Sequence, residues 1–257
     1  MISAARHEYS WREKSAARGA CPPPPKAGKS GGKARRDGES LKKGSNFVSE
    51  LRPNFSVMFF GIFNMNIEYE ATFPNINKDE IRRRLAGAGA VLIKNEFLQR
   101  RTVFQLPKGN QIDGGWLRVR DEGDKITMSL KVVNGDKITD QKEICLKVDD
   151  YNEAVIFLEN IGCQQKSYQE NRREIWRLGK AEVTIDEWPF LEPFVEIEAD
   201  SENSVQAAAK TLGFDYSKAI FGATDLLYEK RYGLSLEIIN NHTPRIVFAE
   251  PNPFLGK

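Results

Sequence analysis

Residues 67–73, Ile-Glu-Tyr-Glu-Ala-Thr-Phe, alternate without a break. Ile67, Tyr69, Ala71 and Phe73 fall on one side, and Glu68, Glu70 and Thr72 on the other. A period of two belongs to a β-strand, because successive side chains leave an extended backbone on opposite faces. The stretch therefore commits to a strand with one apolar face, and what matters next is what the two carboxylates meet. On a wet face Glu68 and Glu70 are ordinary solvated charges. On an inward face they are a ligand pair for a hard divalent cation such as Mg²⁺ or Mn²⁺, which takes oxygen ligands.

The same period recurs down the chain. Residues 116–120 set Leu117 and Val119 against Arg118 and Arg120. Residues 125–133 set Ile126, Met128 and Leu130 against Lys125, Thr127, Ser129 and Lys131. Residues 141–148 place Gln141, Glu143 and Cys145 opposite Ile144, Leu146 and Val148. Residues 168–178 and 182–186 read as a hairpin across Gly179, and 194–199 as a strand with Glu196 and Glu198 opposite Val195 and Ile197. Helical spacing takes over in three places. Asn77 caps a helix over 78–88 with Ile81 and Leu85 on one face. A second covers 152–160, with Ala154, Phe157, Leu158 and Ile161 as its stripe. A third covers 201–212, with Val205, Ala208, Ala209 and Leu212. Part of 216–232 is also spaced for a helix. Strands in runs with a few helices between them predict an α+β fold of mostly antiparallel strands, helices packed outside. Closing that sheet into a barrel would remove its exposed edges.

Composition bounds the rest. Residues 1–60 hold 12 Lys or Arg and 5 Asp or Glu; of 38 and 36 in the chain, 26 basic and 31 acidic residues remain for the body. The beginning is basic and the body mildly acidic, so nucleic acid is not an expected partner of the body. Residues 1–64 read as a disordered basic extension around a Cys-Pro-Pro-Pro-Pro tract and Gly/Ser/Lys/Arg-rich sequence, with Met65 as the expected natural start. Gly28-Lys29-Ser30 is not a phosphate-binding loop: Pro23 stands where the first glycine belongs, and no strand precedes it. The 3 cysteines, Cys21, Cys145 and Cys163, are unclustered, which points to a reducing cytoplasm and gives no zinc spacing. No apolar run approaches the roughly 20 residues of a transmembrane helix. Residues 65–235 form the expected domain and 236–257 a C-terminal tail.

Collected, the polar faces hold Glu68, Glu70, Arg118, Arg120, Lys131, Glu143, Arg173, Asp186, Glu196 and Glu198. In an open sheet these are a wet face. In a closed one they line a lumen where unpaired charge is expensive. A polyanionic ligand that brings cations would satisfy both signs.

The ordered pieces Glu68-x-Glu70, Leu117-Arg118-Val119-Arg120, residues 127–131 ending in Lys131, residues 183–186 ending in Asp186, and Phe194-x-Glu196-x-Glu198 resemble the CYTH family, the triphosphate tunnel metalloenzymes. That family includes class IV adenylate cyclases and thiamine and inorganic triphosphatases. The resemblance implies a closed eight-stranded antiparallel β tunnel, dependence on Mg²⁺ or Mn²⁺, and a triphosphate-bearing substrate: inorganic triphosphate, thiamine triphosphate or ATP. It implies metal-side carboxylates at Glu68, Glu70, Glu196 and Glu198, phosphate clamps at Arg118, Arg120, Lys131 and Arg173, and a supporting metal-binding or water-orienting acid at Asp186. Glu68, Glu70 and Asp186 would be the catalytic set, in a monomer or homodimer. Arg173 rather than Arg172 is chosen from its spacing to Trp176. One position departs. The family's opening motif ends in Lys, and here that residue is Thr72, which can supply no charge. Lys94 and Lys125 are candidates to replace it. Hydrolysis of the terminal phosphoryl group is the expected activity; the alternatives are cyclisation of ATP and binding without turnover.

Overall fold

The structure, a computed structural model, describes residues 65–256. The expectations for residues 1–64 lie outside them. Ten strands and five α-helices follow in order: β1 (Asn66–Ile67), β2 (Tyr69–Phe73), α1 (Lys78–Gly87), β3 (Val91–Gln105), β4 (Gly115–Asp121), β5 (Ile126–Val133), β6 (Gln141–Val148), α2 (Tyr151–Asn160), β7 (Gln164–Leu178), β8 (Ala181–Glu187), β9 (Phe194–Ala199), α3 (Glu202–Thr211), α4 (Asp225–Tyr232), α5 (Leu236–Asn241) and β10 (Arg245–Ile246). The expected helices and strands are present, most of them within a residue or two at their ends; β7 begins four residues before the expected 168.

The strands run β1-β6-β5-β4-β3-β7-β8-β9-β2, all antiparallel along this path, with β10 added parallel to β7. β1 and β2 are one stretch of chain interrupted only at Glu68, so the path comes back to where it began and the sheet is a nearly closed barrel. One side of the opening stretch pairs with β6 (Asn66 opposite Glu143) and the other with β9 (Glu70 opposite Glu198). The seam past Glu68 is held by side-chain and loop groups. Glu68 N–H donates to Gln141 O at 3.0 Å, and Gln141 Nε2 donates to Glu70 O at 2.8 Å. Gly222 N–H donates to Gln141 Oε1 at 3.0 Å, and Thr72 and Ile220 exchange both backbone bonds at 3.0 Å. Gln141 is fully buried, and both polar atoms of its side chain are satisfied, as burial requires.

The apolar sides of the strands face outward, onto helices. Ala71, Phe73, Val183, Ile185, Val195 and Ile197 pack against Ile81 and Leu85 of α1 and Val205, Ala208, Ala209 and Leu212 of α3. Each of these helices begins on a side-chain cap, Asn77 Oδ1 accepting from Glu80 N–H and Ser201 Oγ from Ser204 N–H. α2 covers Phe104 and Val119 with Ala154 and Leu158. Phe157 and Ile161, expected in the same stripe, are 55% and 50% exposed, because only a narrow strip of α2 meets the barrel. The segment after residue 235, expected as a tail, is instead packed: Ile239, Ile246 and Phe254 are buried with Trp188, Phe194, Leu227 and Tyr228. Its apolar residues are too sparse and too irregularly spaced to announce an amphipathic element.

Candidate functional site

Because the strands turn their apolar sides outward, their charged sides line the lumen. A cavity of about 1080 Å³ runs through it, bounded by Glu68, Glu70, Arg118, Arg120, Lys131, Arg173, Glu196 and Glu198 among others. The expectation that nearly every strand contributes an inward charge therefore describes the interior. Asp186 is the exception. It is fully buried in the wall, its Oδ1 accepting from Asn171 Nδ2 (2.7 Å) and Arg173 Nε (2.8 Å) and its Oδ2 from Thr184 Oγ1 (2.7 Å). It is not among the residues that line the cavity. An acid so enclosed orients Arg173.

The carboxylates gather where β2 meets β9. One oxygen each of Glu68, Glu70 and Glu198 lies within 4.8 Å of the others, close enough for a single cation. Lys131 Nζ approaches Glu68 Oε2 at 2.6 Å and Glu70 Oε1 at 3.5 Å. Even so, Glu68 Oε2 is buried and, among the described residues, accepts no hydrogen bond of good geometry. Burial, and then Glu196, push the Glu70 carboxyl up to about 7, against the pull of Lys131. Burial likewise pushes Glu68 up to about 7, Lys131 opposing and Glu70 adding to it. Acids held near neutrality by crowding and desolvation are an environment short of positive charge, and a hard divalent cation fits the oxygen-only donor set.

The opposite wall is cationic. Arg118 donates from Nε to Ser129 Oγ (3.0 Å) and from Nη2 to Glu143 Oε1 (2.9 Å). Arg120 donates to Glu122 Oε1 at 3.0 Å. Arg173 donates to Asp186 and, from Nη2, to Glu196 Oε2 at 2.5 Å. Its neighbour Arg172 points out of the barrel, bonding Glu187 at 3.0 Å and lying over the Phe248 ring at 4.4 Å. Strand alternation separates the two arginines, so Arg173 is the lumen residue.

One cation was missed. Arg101 on β3 is 5% exposed and, among the described residues, bonds only the neutral amides of Gln99 and Asn171. Its guanidinium rests over the Trp188 ring at 4.4 Å, and among the described residues its Nε has no hydrogen-bond partner. Burial, then Arg118, Arg120 and Arg173, hold its pKa well below the usual arginine range. Gln99 and Arg101 alternate on β3 as the other pairs do. Residues 98–101, Leu-Gln-Arg-Arg, offer polar groups on both faces, however, so the inward one had no contrast to mark it. The candidates for the absent lysine do not reach its place. Lys94 is tied to Asp124 (2.5 Å) and the Glu122 carbonyl (2.6 Å), and Lys125 sits at the rim with Glu122 at 3.3 Å.

The CYTH domain model matches residues 66–225, well over half of the chain. The chain belongs to the CYTH family. A Vibrio parahaemolyticus protein assigned provisionally as an adenylate cyclase superposes with a TM-score of 0.56 and 13% identity, over 65% of this chain and 99% of the other. A conserved hypothetical protein of Pyrococcus furiosus gives 0.50 and 18%, over 59% and 94%. A Hippeastrum protein described as an adenylyl cyclase candidate with a dominant triphosphatase activity gives 0.43 and 15%, over 66% and 99%. None of the curated proteins matches the chain. The CYTH barrel explains why the charges face inward here, since the helices that cover it demand the apolar side. Among the described residues no helix is long and apolar enough to cross a membrane.

The raised acids fix a pH dependence. A carboxyl whose folded pKa exceeds its unfolded value of about 4.3 binds more protons folded than unfolded, so its stabilisation is lost as pH rises through the folded value. With Glu68 and Glu70 at about 7, the metal-free protein is expected to lose stability between about pH 4.5 and 7. The loss is on the order of a few kcal/mol at about 1.4 kcal/mol per unit. Millimolar Mg²⁺ or Mn²⁺ should restore it at pH 8. Thermal melts across pH with and without metal check this; a metal-free melting temperature that climbs from pH 5 to 8 would contradict it.

Proposed function

We propose that the chain is a divalent-metal-dependent hydrolase of the terminal phosphoryl group of a triphosphate. The observation that carries this reading is the pairing, inside one cavity, of a three-carboxylate cluster with the cationic wall of Arg101, Arg118, Arg120 and Arg173. A triphosphate needs both signs at once, arginine forks for its oxygens and carboxylates for the cations that accompany it. Glu68, Glu70 and Glu198 would hold Mg²⁺ or Mn²⁺, which when bound neutralises phosphate charge and polarises the phosphoryl oxygens. The remaining work belongs to the chain. Arg118 and Arg173, each braced by a carboxylate, grip and align the phosphates. Asp186 keeps the Arg173 fork in place. Glu196, buried beside Glu70 and raised above the usual carboxylate range by burial, stands where it can orient a water and receive its proton. The terminal phosphoryl group is then transferred to that water with pyrophosphate or an organic diphosphate leaving.

Incubation with inorganic triphosphate, thiamine triphosphate and ATP, each with Mg²⁺ or Mn²⁺, tests it. Metal-dependent phosphate release is the expected result. Cyclic AMP and pyrophosphate from ATP would replace it with a cyclase, and tight binding without product with a sensor.

The sensor reading is favoured by Thr72. It is 5% exposed, lies opposite Glu196 in the β2–β9 ladder and, by alternation, shares the face of Glu70. A lysine there would stand beside Glu196. Thr72→Lys is therefore expected to raise kcat by about 10²-fold, at the low end of what a positioned proton-transfer group supplies. An unchanged rate in a folded variant would remove position 72 from the mechanism.

A further inference from the structure

Among the described residues, four buried side-chain polar atoms lack a hydrogen-bond partner. One is an acceptor, Glu68 Oε2, in the carboxylate cluster that a cation would complete. The other three are all donors: Gln99 Nε2, Arg101 Nε and Trp188 Nε1. Their side chains meet at Arg101. Its Nη2 donates to Gln99 Oε1 at 3.2 Å, and its guanidinium lies over the Trp188 ring at 4.4 Å. Gln99, Arg101 and Trp188 are only 0%, 5% and 4% exposed.

Strand geometry gathers the donors. Gln99 and Arg101 stand two apart on the inward side of β3, and Asn171 on β7 opposes Gln99. A guanidinium holds Nε–H and Nη2 on one edge, and here Nη2 serves both amide oxygens, Gln99 Oε1 and Asn171 Oδ1. Arg101 Nε–H therefore turns to the same side as the Gln99 amide, whose own Nε2 is unused. The nearby acid cannot help. Asp186 favours the charge on Arg101, but its oxygens already accept from Asn171, Arg173 and Thr184.

Charge is as short there as acceptors are. Arg118, Arg120 and Arg173 all repel the Arg101 guanidinium, and among the described residues no carboxylate bonds it. A buried ion with neither a counter-ion nor full hydrogen bonding is expensive. A water molecule would occupy the donors and leave the charge, whereas a small anion answers both. Arg101 and Trp188 border the cavity and Gln99 does not, so the niche is entered from the tunnel with Gln99 at its back. We propose that this niche is a resident-anion site, in which a monovalent, halide-sized anion accepts from Arg101 Nε, Gln99 Nε2 and Trp188 Nε1. The anion neutralises Arg101 and eases the repulsion within the arginine wall, so it stabilises the protein before any substrate arrives. The site is distinct from the phosphate grip assigned to Arg118 and Arg173 and holds whichever reaction the tunnel performs.

Thermal melts of the full chain in sodium chloride and in sodium gluconate, at equal ionic strength, test it together with anomalous diffraction from bromide-soaked crystals. Chloride should raise the melting temperature by about 4 °C or more and then saturate, as a bound ligand does, while the larger gluconate should not. Bromide should give a peak against Arg101, Gln99 and Trp188. Trp188→Phe keeps a ring beneath the guanidinium and removes one donor, so it should weaken chloride binding by about fivefold. Arg101→Met should abolish both signals. Equal melts in the two salts, a bromide peak only in the open lumen beside Arg118 and Arg173 (an adventitious ion only), or an unchanged chloride dependence in Trp188→Phe would each overturn the proposal. If Arg101→Met does not fold, the wild-type diffraction and Trp188→Phe still decide.

Discussion

Glu70→Gln is expected to cut metal-dependent phosphate release by about 10²- to 10³-fold and, at pH 8, to raise the melting temperature of the metal-free protein. The first effect follows from its place among the three carboxylates that can share one cation. Losing a ligand forfeits part of the several kcal/mol of charge stabilisation a metal supplies, and each 1.4 kcal/mol is about tenfold in rate. The second follows from its surroundings. Glu70 is 9% exposed, and burial and Glu196 push its carboxyl up to about 7, so at pH 8 it is ionised at a cost. Glutamine keeps the shape and removes the charge. Lys131 is not left alone, because Glu68 remains at 2.6 Å. A gain of about 1–3 kcal/mol corresponds to a few degrees at about 2–4 °C per kcal/mol for a domain of this size. Paired rate and melting measurements decide it. Full activity would remove Glu70 from the metal site, and a lower melting temperature would show that its charge is needed for folding.

Arg173→Met is expected to destabilise the protein by about 3–5 kcal/mol, a fall of roughly 6–20 °C in melting temperature. Arg173 Nε and Nη2 reach Asp186 at 2.8 Å and Glu196 at 2.5 Å, and Asp186 has no solvent exposure at all. Methionine fills much the same volume and leaves a buried carboxylate without its counter-ion, which is the expensive way to break such a pair. Adding Asp186→Asn to Arg173→Met should recover part of the loss, since the uncompensated charge is then gone. Lysine at 173 should recover little, because one ammonium cannot reproduce the fork that spans two acids. A double-mutant cycle read by thermal and denaturant unfolding measures the coupling. Additive effects of the two substitutions would show that the residues act independently.

Much of the barrel was legible because its strands are half-buried. Where one side packs on helices and the other lines the lumen, the alternation is clean, as at Glu68/Glu70, Arg118/Arg120 and Glu196/Glu198. Where both sides carry polar groups the signal fails, which is why Arg101 and its amide partners Gln99 and Asn171 escaped notice. Asp186 was placed on the right strand, but spacing could not show that Asn171, Thr184 and Arg173 enclose it.

The sequence by itself determined that residues 67–73 form a strand with Glu68 and Glu70 on one face, and that charges recur at the same period on later strands. It could not say whether that face is wet. Local spacing fixes which side of a strand a residue takes, and only the pairing of distant strands fixes what that side meets. Tertiary structure decided it by pairing one end of the opening stretch with β6 and the other with β9, so that Gln141 and the loop at Ile220–Gly222 seal the seam. Once the sheet closes, the charged face lines the cavity rather than an open surface. The same carboxylates then shift from solvated decoration to a crowded, desolvated cluster opposite four arginines.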